Sequence, residues 1–189
     1  MSILYLSVVL EGVRPRVTRA LMVPAELRLD RLHLVLQAAM GWNDMHLYMF
    51  TAGPLRWSRP DPNLGLDALP ATKAILQDAL AAAGTAPLRY TYDFGDDWRH
   101  CITAAYTDGP TAGQLYPRLV AAEGRCPPED VGGAPGYGHF LKAIANPRHP
   151  EHEELLDWHG GPFDPLEPPT DELGREVRRL AKRWEPKKR

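Results

Sequence analysis

Residues 88–104 hold two runs of alternating side chains on either side of an aspartate-rich break. Leu88, Tyr90, Tyr92 and Phe94 alternate with Arg89, Thr91 and Asp93. Past Gly95, Asp96 and Asp97, the residues Trp98, His100, Ile102 and Ala104 share one face of the next run. A period of two marks a strand with one buried face. Gly95 permits a tight turn, and aspartate carboxylates accept backbone N–H groups there. The stretch is read as a β-hairpin with Phe94 and Trp98 in the core. Such a hairpin commits the chain to a sheet whose apolar face must be covered.

The rest of the chain supplies the cover. Residues 3–10 and 16–23 form a second hairpin around Gly12 and Pro15. Leu29, Leu32, Leu36 and Ala39 recur at helical spacing, and Gly41 stops that helix. Strand, turn, strand, helix is the opening of a β-grasp-like N-terminal half. Residues 46–50 and 55–58 read as further strands, and 59–70 as loop. A helix is predicted over 71–84, with short helices at 138–145 and 150–158. The stretch "CPPEDVGGAPGYG", residues 126–138, is loop on composition. Leu173, Val177, Leu180 and Trp184 place one apolar stripe on a helix over 170–184. Strands and helices do not alternate as βαβ units, so the class is α+β with a mainly antiparallel sheet. The expected organisation is one domain over 1–169 with a basic C-terminal helix, 170–189, docked on it.

Charge is unevenly spread. Residues 175–189 carry eight Lys/Arg and two Glu, +6 locally, against a whole-chain charge of −2. A basic arm on an acidic body can serve contact with nucleic acid, but a solvated helix face docked on that body is the preferred reading. The apolar N-terminal run lacks a basic leader and membrane length, so no membrane association is expected. With two cysteines, Cys101 and Cys126, a disulfide scaffold is ruled out, and a cytoplasmic setting is expected.

Asp93, Asp97 and His100, joined by Glu129 and Asp130, form the candidate polar cluster. Carboxylates and imidazole together suit a divalent metal or acid–base chemistry. His33, His46, Trp98, Cys126 and Tyr137 are candidate pocket walls. Equally, the aspartates are turn residues and the histidines hydrogen-bonded structural groups. "DFG" lacks every companion motif of a protein kinase. The glycines of 132–138 match no nucleotide fingerprint, and the chain has no G-x-S-x-G or H-E-x-x-H.

Three stretches in order, "LDRLHLVLQAAMGWNDMHLYMF", "YTYDFGDDWRHCI" and "CPPEDVGGAPGYGHFLKAIANPRHPEH", followed by "FDP", resemble the plasmid pRiA4b ORF-3-like family. The resemblance covers roughly residues 3–167. Thr18 stands where that family often has an aromatic before the arginine, and Tyr48 where it often has a second histidine. The resemblance implies an α+β domain associated with mobile elements; members are often labelled TnpR or transposon passenger proteins. It implies no reaction. Resolvase activity is not expected, because Ser2 and Ser7 lie in an apolar strand and the tail offers a single helix.

Three functions follow in order of preference. The first is a mobile-element accessory protein acting as a non-enzymatic binding or interaction module. The second is a metal-dependent hydrolase using the Asp/His/Glu cluster. The third is a nucleic-acid-associated protein using the basic C-terminal helix.

Overall fold

The computed structural model describes residues 2–60 and 67–185. The strands are β1 Ile3–Leu10, β2 Val17–Pro24, β3 Tyr48–Ala52, β4 Leu55–Ser58, β5 Leu69–Pro70, β6 Leu88–Tyr92, β7 Trp98–Tyr106 and β8 Arg118–Glu123. The helices are α1 Leu29–Met40, α2 Leu76–Ala83, α3 Gly133–Ile144, α4 His152–His159 and α5 Thr170–Trp184. All eight strands form one sheet in the order β5-β4-β3-β6-β7-β1-β2-β8. Neighbours are antiparallel except the short β4–β5 pair. The class is α+β.

Both predicted hairpins pair, β1 with β2 and β6 with β7, and they join through β1 and β7. Alternation buries one face. Tyr48, Tyr92 and Trp98 sit opposite one another across β3, β6 and β7, all buried. Phe50, Tyr90, His100, Leu10 and Val17 form the adjoining buried row. Directly opposed aromatics contribute to pairing beyond simple burial. Arg89, Arg99 and Thr103 point to the opposite, exposed face.

α1 is buried around most of its girth, at Leu29, Leu32, Val35, Leu36, Ala39 and Met40. It packs between the sheet and α5. α5 docks through Leu173, Val177 and Ala181. Leu180 and Trp184 are half-buried at its rim, where Arg31 lies 5.0 Å over the Trp184 ring. Arg175, Arg178, Arg179, Lys182 and Arg183 face outward. The last basic residues, 187–189, lie outside the described residues, as do 61–66 of the predicted loop.

Four expectations are corrected. The predicted helix over 71–84 is broken: a 3-10 turn, Ala71–Lys73, is followed by extended Ala74 and Ile75 before α2. Ile75 bridges Arg28, and the Leu29 and Leu76 amides bond across to Ala74 and Leu27 carbonyls. A tertiary pairing thus overrides helix propensity. Leu69–Pro70, expected as loop, pairs with β4. The glycine-rich stretch is helical from Gly133 onward. A Cβ on Gly133 would lie 2.6 Å from the Asp96 carbonyl oxygen, and one on Gly136 1.9 Å from that of Val131. Glycine there serves close backbone approach, not a loop. Finally, Phe94 is 42% exposed, because β6 ends at Tyr92 and the turn carries Phe94 off the buried face.

Trp98 is 1% exposed and stacks on Trp42 at a 6.1 Å centroid distance. Trp98→Ala should cost roughly 3–5 kcal/mol, read as a lowered midpoint in urea with an unchanged m value.

Candidate functional site

Three loops meet at the end of the sheet where α1 finishes. α1 stops at Gly41, whose left-handed backbone returns its N–H to the Gln37 carbonyl at 2.9 Å. The chain then runs over the sheet as Trp42–Leu47. Trp42 Nε1 donates to the Pro127 carbonyl at 3.0 Å. The Met45 and His46 amides donate to the Tyr92 hydroxyl at 3.1 and 3.4 Å. Glu129 locks the third loop on. Its carboxylate accepts the Tyr92 hydroxyl at 2.5 Å and the Asn43 amide and Nδ2 at 3.1 and 3.0 Å. Burial first, and then the Glu129 bond, push the Tyr92 phenol far above its ordinary range, so it stays a neutral donor.

His46, Asp93 and Asp130 face one another, one from each loop. His46 Nε2 lies 3.0 Å from Asp130 Oδ1 and 3.6 Å from Asp93 Oδ2. Neither oxygen lies along its N–H direction: the nitrogen is sealed from solvent yet makes no hydrogen bond. The three potential ligand atoms lie within 4.8 Å of one another. Asp93 is built for this position. Its Oδ1 accepts the Gly95 and Asp96 amides at 2.9 and 3.4 Å, which leaves Oδ2 turned toward His46.

Backbone strain marks the same place. The non-glycine residues with positive φ among those described are Asp44, Asp93, Asp97 and Asp130, at +55° to +58°. Aspartate enters this region more readily than most residues, at a cost of about 1–2 kcal/mol. Three of the four belong to these loops' facing ends, and strain of this kind gathers at functional sites.

A second His–Asp pair lies beside the first. His33, from α1, is buried and stacks on Tyr48 at 3.7 Å. Its Nε2 meets Asp44 Oδ1 at 2.7 Å and its Nδ1 the Tyr90 hydroxyl at 2.8 Å. Desolvation outweighs Asp44 and lowers its pKa. The neutral ring therefore donates to Asp44 and accepts from Tyr90. Gln37 completes the network, donating to the Tyr90 hydroxyl at 3.1 Å and accepting the Asp44 amide at 2.9 Å.

The other candidates fall elsewhere. Asp97 turns out to solvent and pairs with Arg99 at 2.5 Å. His100 is fully buried among Trp42 and Tyr90, with Nδ1 3.2 Å from the Tyr90 carbonyl. Trp98 and Tyr137 are core residues. Cys126 is buried, which pushes its thiol up to about 12 and leaves it unreactive. It lines a cleft of about 700 Å³ between the end of α1, residues 125–129 and α5, with Gln37, Asp44, Arg125, Glu129 and Arg179. That cleft starts beside the cluster, at Asp44, two residues from His46, and at Glu129, one residue from Asp130. The sequence signal for Asp44 was a polar pair, Asn43-Asp44, separated by one residue from the helix-ending Gly41.

A model of the plasmid pRiA4b ORF-3-like protein family matches residues 2–172. The chain belongs to this family. An uncharacterized protein, y4hQ, of Sinorhizobium fredii is 41% identical over 189 residues, which cover all of this chain and 97% of that protein. The crystal structure of MM3350, a protein of unknown function from Methanosarcina mazei Go1, aligns with a TM-score of 0.78 and 28% identity. That alignment covers 91% of this chain and 98% of the archaeal one. These relatives carry the fold, with all three loops inside the matched span, and bring no activity with them. No helix among the described residues is long and apolar enough to cross a membrane.

Burial lowers the His100 pKa to about 4. The unfolded chain, with histidine near ~6.5, binds that proton first. Stability should therefore fall as pH drops from about 6.5 toward 4, by up to roughly 1.4 kcal/mol per pH unit from this group. His100→Asn should flatten the slope in urea titrations run across that window.

Proposed function

We propose that the protein is a binding module whose working centre is a divalent-metal site formed by His46, Asp93 and Asp130. One observation carries the reading: a sealed, unpartnered His46 Nε2 faces two carboxylates brought from two other loops. One imidazole and two carboxylates suit Mn²⁺ or Zn²⁺. Glu129, Tyr92 and Asn43 act behind the ligands by fixing the loops that carry them, the role outer-shell hydrogen bonds serve at metal centres.

A second reading, a metal-dependent hydrolase, has support from the neighbouring cleft. Three protein ligands leave coordination positions for water or substrate, and the cleft of about 700 Å³ is the size of a small-molecule pocket. The exposed cations of α5 support a further role in contacting a polyanion. The family's plasmid origin supports an accessory role on a mobile element. Two free thiols support a cytoplasmic setting.

The test is calorimetric titration of metal-stripped protein with Mn²⁺. We expect about one equivalent bound by the wild type, and at least tenfold weaker binding in His46→Ala, Asp93→Asn and Asp130→Asn. Asparagine tolerates the same backbone angles as aspartate, so these variants separate ligand loss from loop collapse. A wild type that binds no Mn²⁺ and no Zn²⁺ at this cluster overturns the proposal. The α5 role predicts binding of a generic DNA duplex that weakens steeply with salt and disappears in a chain ending at Pro169.

A further inference from the structure

We propose that His139, His149 and Glu151 form a second metal site, a solvent-facing zinc centre where the α3–α4 turn folds back on α3. The third sequence stretch that carries the family resemblance ends in these residues, yet none of them serves the core. Tyr137, Phe140 and Ala143 bury the inner face of α3. His139 lies on its outer side, with a side chain 52% exposed.

The turn brings the other two groups back to it. The His149 amide bonds to the Asn146 carbonyl at 2.8 Å, and the Arg148 amide to Asn146 Oδ1 at 3.1 Å. The His152 amide bonds to the His149 carbonyl at 3.0 Å, and His152 Nδ1 to the Ala143 carbonyl at 3.0 Å. The scaffold is therefore fixed before any metal arrives, as a tight site requires. Glu151 stands at the start of α4 but makes no capping bond to it. Its carboxylate turns instead to His139 Nε2, at 2.8 Å. The His139 and His149 rings lie 5.5 Å apart.

An exposed ion pair between His139 and Glu151 would contribute only ~0–1 kcal/mol, and the His149 ring beside it makes only a 3.2 Å acceptor bond to the Glu151 amide. A cation accounts for all three. Their ligand atoms lie within 4.8 Å of one another. Tetrahedral zinc with bonds of ~2.1 Å spaces its ligands about 3.4 Å apart, so side-chain rotation closes the site. Two imidazoles and one carboxylate match zinc centres that keep a fourth position open, and here that position faces water. Zinc would take the place of the His139–Glu151 hydrogen bond and of the 3.2 Å bond that His149 Nδ1 accepts from the Glu151 amide.

The donor set differs from that of the His46 cluster, so the two sites can be tested apart. In a His46→Ala, Asp130→Asn background, we expect Zn²⁺ to bind at about one equivalent. Co²⁺ should give the intense visible bands of a tetrahedral site. His149→Ala and Glu151→Gln, both at the surface, should each weaken Zn²⁺ at least tenfold and abolish those bands. Glu151→Gln keeps a hydrogen-bonding partner for His139, so its effect reports lost ligation. Failure of that background to bind Zn²⁺ overturns this site and leaves the His46 centre untouched. Unchanged Zn²⁺ affinity in His149→Ala and Glu151→Gln overturns it as well.

Discussion

The arrangement of the loops depends on one buried guanidinium. Arg19, on β2, is 1% exposed. Its Nε donates to the Ala39 carbonyl at 2.6 Å, near the end of α1. Its Nη1 donates to the carbonyls of Thr18, Glu123 and Gly124, at 2.7, 3.0 and 3.0 Å. No carboxylate pairs with it among the described residues. Desolvation lowers its pKa, but arginine remains charged, and backbone dipoles carry the stabilisation a counter-ion would otherwise give. One side chain thus ties the last turn of α1 to the end of β8. Those are the points from which residues 42–47 and 125–130 depart, and both segments bring side chains to the His46 cluster.

From that anchor the loops are held by graded contacts. Trp42 closes over Pro127 through its indole N–H. Glu129 then satisfies Asn43 and Tyr92 together. Glu129 is engaged by these hydrogen bonds as a brace, while Asp130, one residue on, is 70% exposed at its side chain and faces His46. Adjacent acids take different roles because the backbone reverses between them, at the positive φ of Asp130. The turn over residues 93–97 is fixed differently. The Asp93 amide bonds to the Leu47 carbonyl at 2.9 Å, and the Asp97 amide to the Asp93 carbonyl at 2.7 Å. The turn that carries Asp93 is thereby fastened to the segment that carries His46.

The one-sided sheet explains where chemistry collects. Its buried face carries the aromatic rows and the neutral His100 and packs against the neutral His33 of α1, groups that desolvation keeps uncharged. Charged ligands cannot lie within that row without heavy cost. They gather at its end, where Tyr92 meets solvent-facing loops. His33 and His46 come from neighbouring segments. One is sealed against Tyr48 and Tyr90, and the other reaches the rim.

Local periodicity made much of the fold legible. Alternation around residues 93–97 and along 3–10 and 16–23 gave both hairpins, and four apolar positions gave α5. Each depends on side-chain spacing within a few residues. Three features were decided only in three dimensions. The glycines of α3 read as loop because their reason is the approach of Asp96 and Val131 carbonyls. The break before α2 depends on Arg28, which lies 47 positions earlier than Ile75. Sequence grouped Asp93 with Glu129 and Asp130, but also with Asp97 and His100, its neighbours in the chain, and held His46 apart as a pocket wall. The fold turns Asp97 outward, buries His100 and sets His46 opposite Asp93. A sequence prescribes which way a side chain faces within its own strand or turn; which loops meet depends on long-range packing, here on Arg19 holding α1 and β8 to the same place.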